Sequence, residues 1–113
     1  MESAYLAGAA MAFIAADLAT GLLQAVLNKC LDSTKMRDGL KHKCGFIVTI
    51  LLAGGIEWCM QYVDLGFTLP LFVPACVYVV STEIISIFEN ACKMNPELAG
   101  SKLAQLFNID PNA

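Results

Sequence analysis

The amino-acid sequence predicts an all-α membrane protein with three transmembrane helices and a short C-terminal amphipathic helix. Of its 113 residues, 58% are hydrophobic, and the mean hydropathy is +0.64. A soluble domain of this length could not bury so much apolar surface, because small domains hide a smaller share of their surface. The apolar residues also form three blocks, each about 19 to 23 residues long, the length that crosses a bilayer core of roughly 30 Å.

The three blocks place the spans near residues 5–27, 44–62 and 67–88, within a single domain of residues 1–113. A basic loop at 28–43 joins the first two spans, and a tail follows at 89–113. The first block is not expected to be a cleaved signal peptide, because no basic residue precedes it and its apolar stretch is too long.

Helix-capping residues occur in the loop and in the tail. The loop could hold a short helix that is capped by Asp32 or Ser33 and broken at Gly39. In the tail, Asn95 as cap and Pro96 at the first helical position predict a helix start. An apolar stripe then follows at Ala99, Leu103, Leu106 and Phe107.

The basic residues predict the orientation in the membrane. Five lie in the loop, namely Lys29, Lys35, Arg37, Lys41 and Lys43, and the other two, Lys93 and Lys102, follow the third span. Three spans put the loop and the tail on one side, and basic residues favour the cytoplasmic side. We therefore expect the N-terminus outside and the C-terminus inside. No nucleic-acid partner is expected, because topology already accounts for the basic loop.

Polar and small residues follow two rows along the first span. Asp17, Thr20, Gly21 and Gln24 share one helical face. A row of small residues recurs every four positions and includes Gly8, Ala12 and Ala16. Such rows let helices approach closely in lipid, so these three are predicted to pack against other helices.

The other two spans carry similar polar faces, with Glu57 and Gln61 on the second and Glu83, Ser86 and Asn90 on the third. A charge at the bilayer centre costs at least about 2.5–3.5 kcal/mol, so these acids need hydrogen bonds, protonation or water. They could be neutral hydrogen-bonding links between helices. Alternatively, they line the interior or the contacts of an oligomer, and we expect that only neighbouring copies can satisfy them.

Three motifs are similar, in order and spacing, to those of phage lysis and toxin-secretion holins. They are "DLATG" at 17–21, "STKMRDGLKHK" at 33–43, and "EIISIFEN" at 83–90, which includes Glu89. The resemblance implies a protein that oligomerises in the bacterial cytoplasmic membrane and forms lesions through which an endolysin or a toxin leaves. Its implied partners are copies of itself, membrane lipid and, functionally, the endolysin; no cofactor or catalytic residue is implied.

Other functions remain open on the sequence. An antiholin of the same family has the same features, and a structural subunit of a larger membrane complex would also present polar faces. A small ion-coupled transporter would need a fourth span, which the charged tail cannot supply. An enzyme or a metal site is not expected, because His42 is the one histidine and the five cysteines lack CxxC spacing.

Overall fold

The computed structural model describes residues 2–100 and 105–106, and within these ranges all regular structure is helical. The helices are α1 (Glu2–Leu27), α2 (Ser33–Cys59), α3 (Phe72–Met94) and the short α4 (Pro96–Ala99). α1 from Ala4 onward, α2 and α3 are each long and apolar enough to cross a membrane. The predicted all-α fold with three membrane-spanning helices is confirmed.

α1 ends in a hydrogen-bonded turn that reverses the chain toward α2. Lys29 adopts a left-handed backbone with φ of 55°. The amide of Lys29 donates to the carbonyl of Val26 (3.2 Å), and the amide of Cys30 donates to that of Ala25 (2.9 Å). This pair of bonds is a Schellman motif, which satisfies carbonyls left free at the end of the helix. The motif directs the chain to Asp32, where the next helix starts.

α2 begins about ten residues before the predicted second span, because the basic segment from Ser33 onward is helical. The side chain of Asp32 accepts hydrogen bonds from the amides of Thr34 (2.9 Å) and Lys35 (3.4 Å), as an N-cap does. Gly39 was expected to break a helix here, but α2 continues through it. A glycine inside a helix costs only about 1 kcal/mol relative to alanine, and the following turns are held by tertiary packing.

The connection between α2 and α3 is longer than predicted, since residues 67–71 are not helical. Pro70 has no amide hydrogen and disfavours helical backbone in the residue before it, so the helix starts only beyond it. Pro74 then lies in the first turn of α3, where proline is tolerated. Gly66 has a φ of 84°, and its amide donates to the side chain of Asp64 (2.9 Å).

The small buried core joins all three long helices. It consists of Ala10 and Ile14 from α1, Phe46 and Ile50 from α2, and Cys76 and Val79 from α3. α1 packs chiefly on α3, and α2 lies against both more loosely. Many large apolar side chains point away from this core, including Leu22, Leu51 and Val77. An outer surface so apolar suits lipid and would not suit water.

The tail begins as predicted. Asn95 caps α4 by accepting a hydrogen bond from the amide of Glu97 (3.2 Å), and Pro96 occupies the first helical position. Leu106 is exposed on a short helical stretch at 105–106. The rest of the predicted apolar stripe falls outside the described residues at Leu103 and Phe107, and the side chain of Ala99 is likewise not described.

Candidate functional site

Three charged side chains, one from each long helix, meet inside the bundle. The ammonium Nζ of Lys43 on α2 lies 2.6 Å from Oδ2 of Asp17 on α1 and 2.8 Å from Oε2 of Glu83 on α3. The side chain of Glu83 is 1% exposed, that of Asp17 8% and that of Lys43 11%. Lys43 therefore links all three helices through two short, charge-assisted hydrogen bonds.

Asn90 on α3 extends this group. Its Nδ2 donates to Oδ1 of Asp17 (2.9 Å) and to Oγ1 of Thr20 (3.1 Å), while Thr20 donates its hydroxyl proton to the carbonyl of Ala16 (2.9 Å). We refer to Asp17, Lys43, Glu83 and Asn90 as the charge cluster. No buried side-chain nitrogen or oxygen in the described part of the chain lacks a hydrogen-bond partner.

Helix periodicity explains how the cluster assembles. Thr20 and Gly21 are three and four residues from Asp17, and Asn90 is seven from Glu83, so each set lies on one helical face. A Cβ added at Gly21 would stand 3.5 Å from Nδ2 of Asn90, an ordinary contact distance. An alanine would therefore fit at position 21, and a side chain extending beyond Cβ on this side would meet Asn90.

Lys43 was predicted to lie in the basic loop as a topology residue, but the structure places it within α2. It is buried, whereas the other basic residues of the segment, Lys29, Lys35, Arg37 and Lys41, are exposed. The sequence did contain a signal for this. Lys43 is three and seven residues from Phe46 and Ile50, both buried, so it belongs to the inward face of α2.

The expectation that only neighbouring copies could satisfy the intramembrane acids is also corrected for the charge cluster. Asp17, Glu83 and Asn90 all have partners within their own chain. When all three charged groups are ionised, two carboxylates face one ammonium, which leaves one negative charge in excess. Removing the single cation from such a buried group is costly, because both acids then lose their partner.

The remaining predicted site residues divide between the two ends of the bundle. Gln24 accepts a hydrogen bond from Nδ2 of Asn28 (3.2 Å). Ser86 lines a cavity beside the charge cluster, and Glu89 is half-buried on α3. Glu57 lies near the other end, where its Oε1 accepts the amide hydrogen of Leu71 (3.0 Å) just before α3. It therefore satisfies the start of a helix and takes no part in the charge cluster.

Gln61, predicted together with Glu57, is exposed and lines a small depression beside it. The row of small residues on α1 divides in a similar way. Gly8 and Ala12 are exposed, and a Cβ at Gly8 would meet nothing within 4 Å, whereas Ala16 is half-buried. Gly8 and Ala12 are therefore available for contact with another chain, whereas Ala16 packs within its own chain.

A cavity of about 420 Å³ lies beside the charge cluster, between the second half of α1, the start of α2 and the end of α3. Asp17 and Lys43 form part of its wall, and Lys35 and Lys93 contribute basic side chains. Among the described residues, no group of His, Cys, Asp and Glu side chains is placed to hold a metal ion. What the cavity offers chemically is mixed charge beside apolar wall.

A family comparison relates this arrangement to known proteins. The sequence model of the bacteriophage holin family matches residues 2–109, nearly the whole chain. The chain belongs to the bacteriophage holin family. Holins are membrane pore-forming proteins and not enzymes, and membership indicates a membrane-embedded protein that associates with others. No curated protein and no solved structure matches the chain.

Proposed function

We propose that this protein is a holin that oligomerises in the bacterial cytoplasmic membrane and forms lesions that release an endolysin at host lysis. The observation that carries the proposal is the family match over residues 2–109, on a chain with three helices able to cross a membrane. A toxin is the alternative cargo that the resemblance of the sequence motifs implies.

The proposed orientation places the N-terminus outside and the C-terminus inside. Lys35, Arg37 and Lys41 are exposed on the first turns of α2, and Lys93 lies in the last turn of α3, so these basic residues share one end of the bundle. Lys and Arg residues in the short loops of membrane proteins favour the cytoplasmic side. Lys43 is buried in the charge cluster, so the exposed basic residues alone support this orientation.

In the proposed mechanism, the chain exists first in a closed form and later in an open one. The closed form has its charge cluster satisfied within one chain, so copies can accumulate without exposing ionised groups to lipid. Opening then requires Lys43 to separate from at least one acid, which makes the polar face of α1 available to water. The exposed residues Gly8 and Ala12 provide the contact through which copies assemble.

An antiholin of the same family is the second candidate, and the closed charge cluster is the observation that favours it. A chain whose charge cluster is satisfied internally can remain in the membrane, and pair with a holin, without opening a lesion. The two candidates differ in what expression of the chain does to a cell that also contains an endolysin.

The test is inducible expression in a bacterium together with an endolysin that lacks its own export signal, followed by culture turbidity. A holin gives an abrupt fall in turbidity that neither protein gives alone. An antiholin gives no lysis with the endolysin and delays lysis when a functional holin is also present. Absence of both effects, with the protein shown to be in the membrane, would remove both candidates.

A further inference from the structure

The cavity beside the charge cluster has a position that matters for a membrane protein. It extends from Asp17 on α1 to Asn28, just beyond the end of that helix, which is about 16 Å at 1.5 Å per residue. At its far end the three helix termini lie together, and Nδ2 of Asn28 donates to the carbonyl of Lys93 (3.4 Å). The cavity therefore runs from the joined ends of the three long helices to the buried cluster.

Two lysines at the outer part of this cavity have no carboxylate partner among the described residues. Lys35 lies in the first turn of α2, and Lys93 lies in the last turn of α3. In the described part of the chain the ion pairs are those of Lys43, so neither of these ammonium groups has a carboxylate within 4 Å. Asp32 also lines the cavity, but its Oδ1 accepts the backbone amide hydrogens at the start of α2.

One part of the cavity wall, beside the polar residues, is apolar and open. Leu18 and Leu22 line it and are 38% and 43% exposed, and Met36 adds a half-buried apolar side chain. A small soluble anion would contact the lysines only. A molecule with a phosphate at one end and a hydrocarbon chain at the other would also cover these leucines.

We propose that this cavity binds an anionic phospholipid, with its phosphate between Lys35 and Lys93 and the upper part of an acyl chain against Leu18 and Leu22. Basic pockets between transmembrane helices recognise lipid headgroups in this manner, and each lysine near an anionic surface contributes to the attraction. The proposal requires only that the chain is embedded in a membrane, so it does not depend on whether the protein acts as a holin or an antiholin.

Cys30 provides a reporter for the test, because its thiol is exposed and lines the cavity. The full chain with Cys44→Ser, which removes the other exposed thiol, is placed in nanodiscs of phosphatidylcholine with or without phosphatidylglycerol. The rate at which a water-soluble maleimide labels Cys30 is then measured. We expect the anionic lipid to slow labelling and the double variant Lys35→Gln/Lys93→Gln to remove this protection. Each lost lysine should lower the affinity for the anionic lipid about fivefold.

The matched control is Lys29→Gln/Lys41→Gln, which removes two exposed lysines that do not line the cavity. It should keep the lipid protection of Cys30, and so should Lys35→Arg/Lys93→Arg, which preserves the charge if the glutamine variant fails to fold. The proposal is overturned if anionic lipid gives no protection, or if the control loses as much protection as the cavity variant. Equal protection by inorganic phosphate without anionic lipid would also overturn it, since the site would then take a free anion.

Discussion

Replacement of Lys43 by methionine tests the charge cluster most directly. Methionine keeps the length and much of the volume of the side chain but removes the ammonium that binds Asp17 at 2.6 Å and Glu83 at 2.8 Å. The two carboxylates then face each other without a cation, although Asn90 still donates to Asp17. Breaking a buried ion pair by removing one partner costs about 3–5 kcal/mol in soluble proteins, and polar contacts within membranes are often weaker. We therefore expect a loss of about 2–4 kcal/mol in the stability of the closed form.

Two assays measure this loss. Titration of the purified protein with denaturing detergent gives the change in stability, and lysis timing in cells with an endolysin gives the functional consequence. A shift of about 2 kcal/mol changes the ratio of closed to open chains roughly 30-fold, so Lys43→Met should cause earlier lysis if it still enters the membrane. Adding Asp17→Asn to Lys43→Met should recover part of the stability, because only Glu83 then lacks its cation.

The matched control is Lys41→Met, which makes the same chemical change at an exposed lysine two residues away on α2. It should leave both stability and lysis timing close to those of the natural chain. If Lys43→Met and Lys41→Met behave alike in both assays, the charge cluster does not hold the helices together and the proposed closed form is wrong.

Three further predictions concern other contacts. Gly8→Leu should reduce cross-linking between copies in membranes with little change in the fold of the single chain, whereas Gly55→Leu, at an equally open glycine on α2, should leave cross-linking unchanged. Equal effects of the two variants would exclude the small-residue row as the contact between copies. Asn90→Ala should lower the free energy of unfolding by about 1 kcal/mol, and by less when Thr20→Val is already present, as measured by detergent titration of both single variants and the double variant. If Asn90→Ala has the same effect with and without Thr20→Val, the two side chains are not coupled. Glu57→Ala should speed hydrogen exchange at the Leu71 amide by about 2- to 10-fold, because the acceptor of its hydrogen bond is lost. Glu57→Gln, which keeps an acceptor oxygen, and the exposed control Gln61→Ala should leave the exchange rate unchanged. Exchange in Glu57→Ala at the natural rate would contradict the capping role.

Much of the fold and part of the site followed from the sequence, because both depend on periodicity within single helices. The length of the apolar blocks is sufficient to indicate three membrane-spanning helices. Similarly, spacings of three, four and seven residues place Asp17 with Thr20 on one face of α1, and Glu83 with Asn90 on one face of α3. These are regularities within one helix, and they hold whatever the neighbouring helices do.

Features that depend on contacts between helices were not predicted. Lys43 was assigned to a loop because basic residues beside an apolar block usually remain at the membrane surface. The helix that starts at the predicted Asp32 cap instead continues through Gly39 and carries Lys43 into the bundle. The hydrogen bond between Glu57 and the amide of Leu71 likewise depends on the path of the irregular segment between α2 and α3. That path has no periodic pattern in the sequence from which it could be predicted.

The positions of the small-residue row and the charge cluster on α1 suggest that assembly and opening are separate steps. Gly8 and Asp17 are nine residues apart, and at about 100° per residue they lie on opposite sides of the helix. Their exposure agrees, since Gly8 is open and Asp17 is 7% exposed. A neighbouring copy can therefore pack against Gly8 and Ala12 without touching the charge cluster. Copies could then gather in the membrane while every cluster stays closed, and permeability would change only when Lys43 leaves its acids.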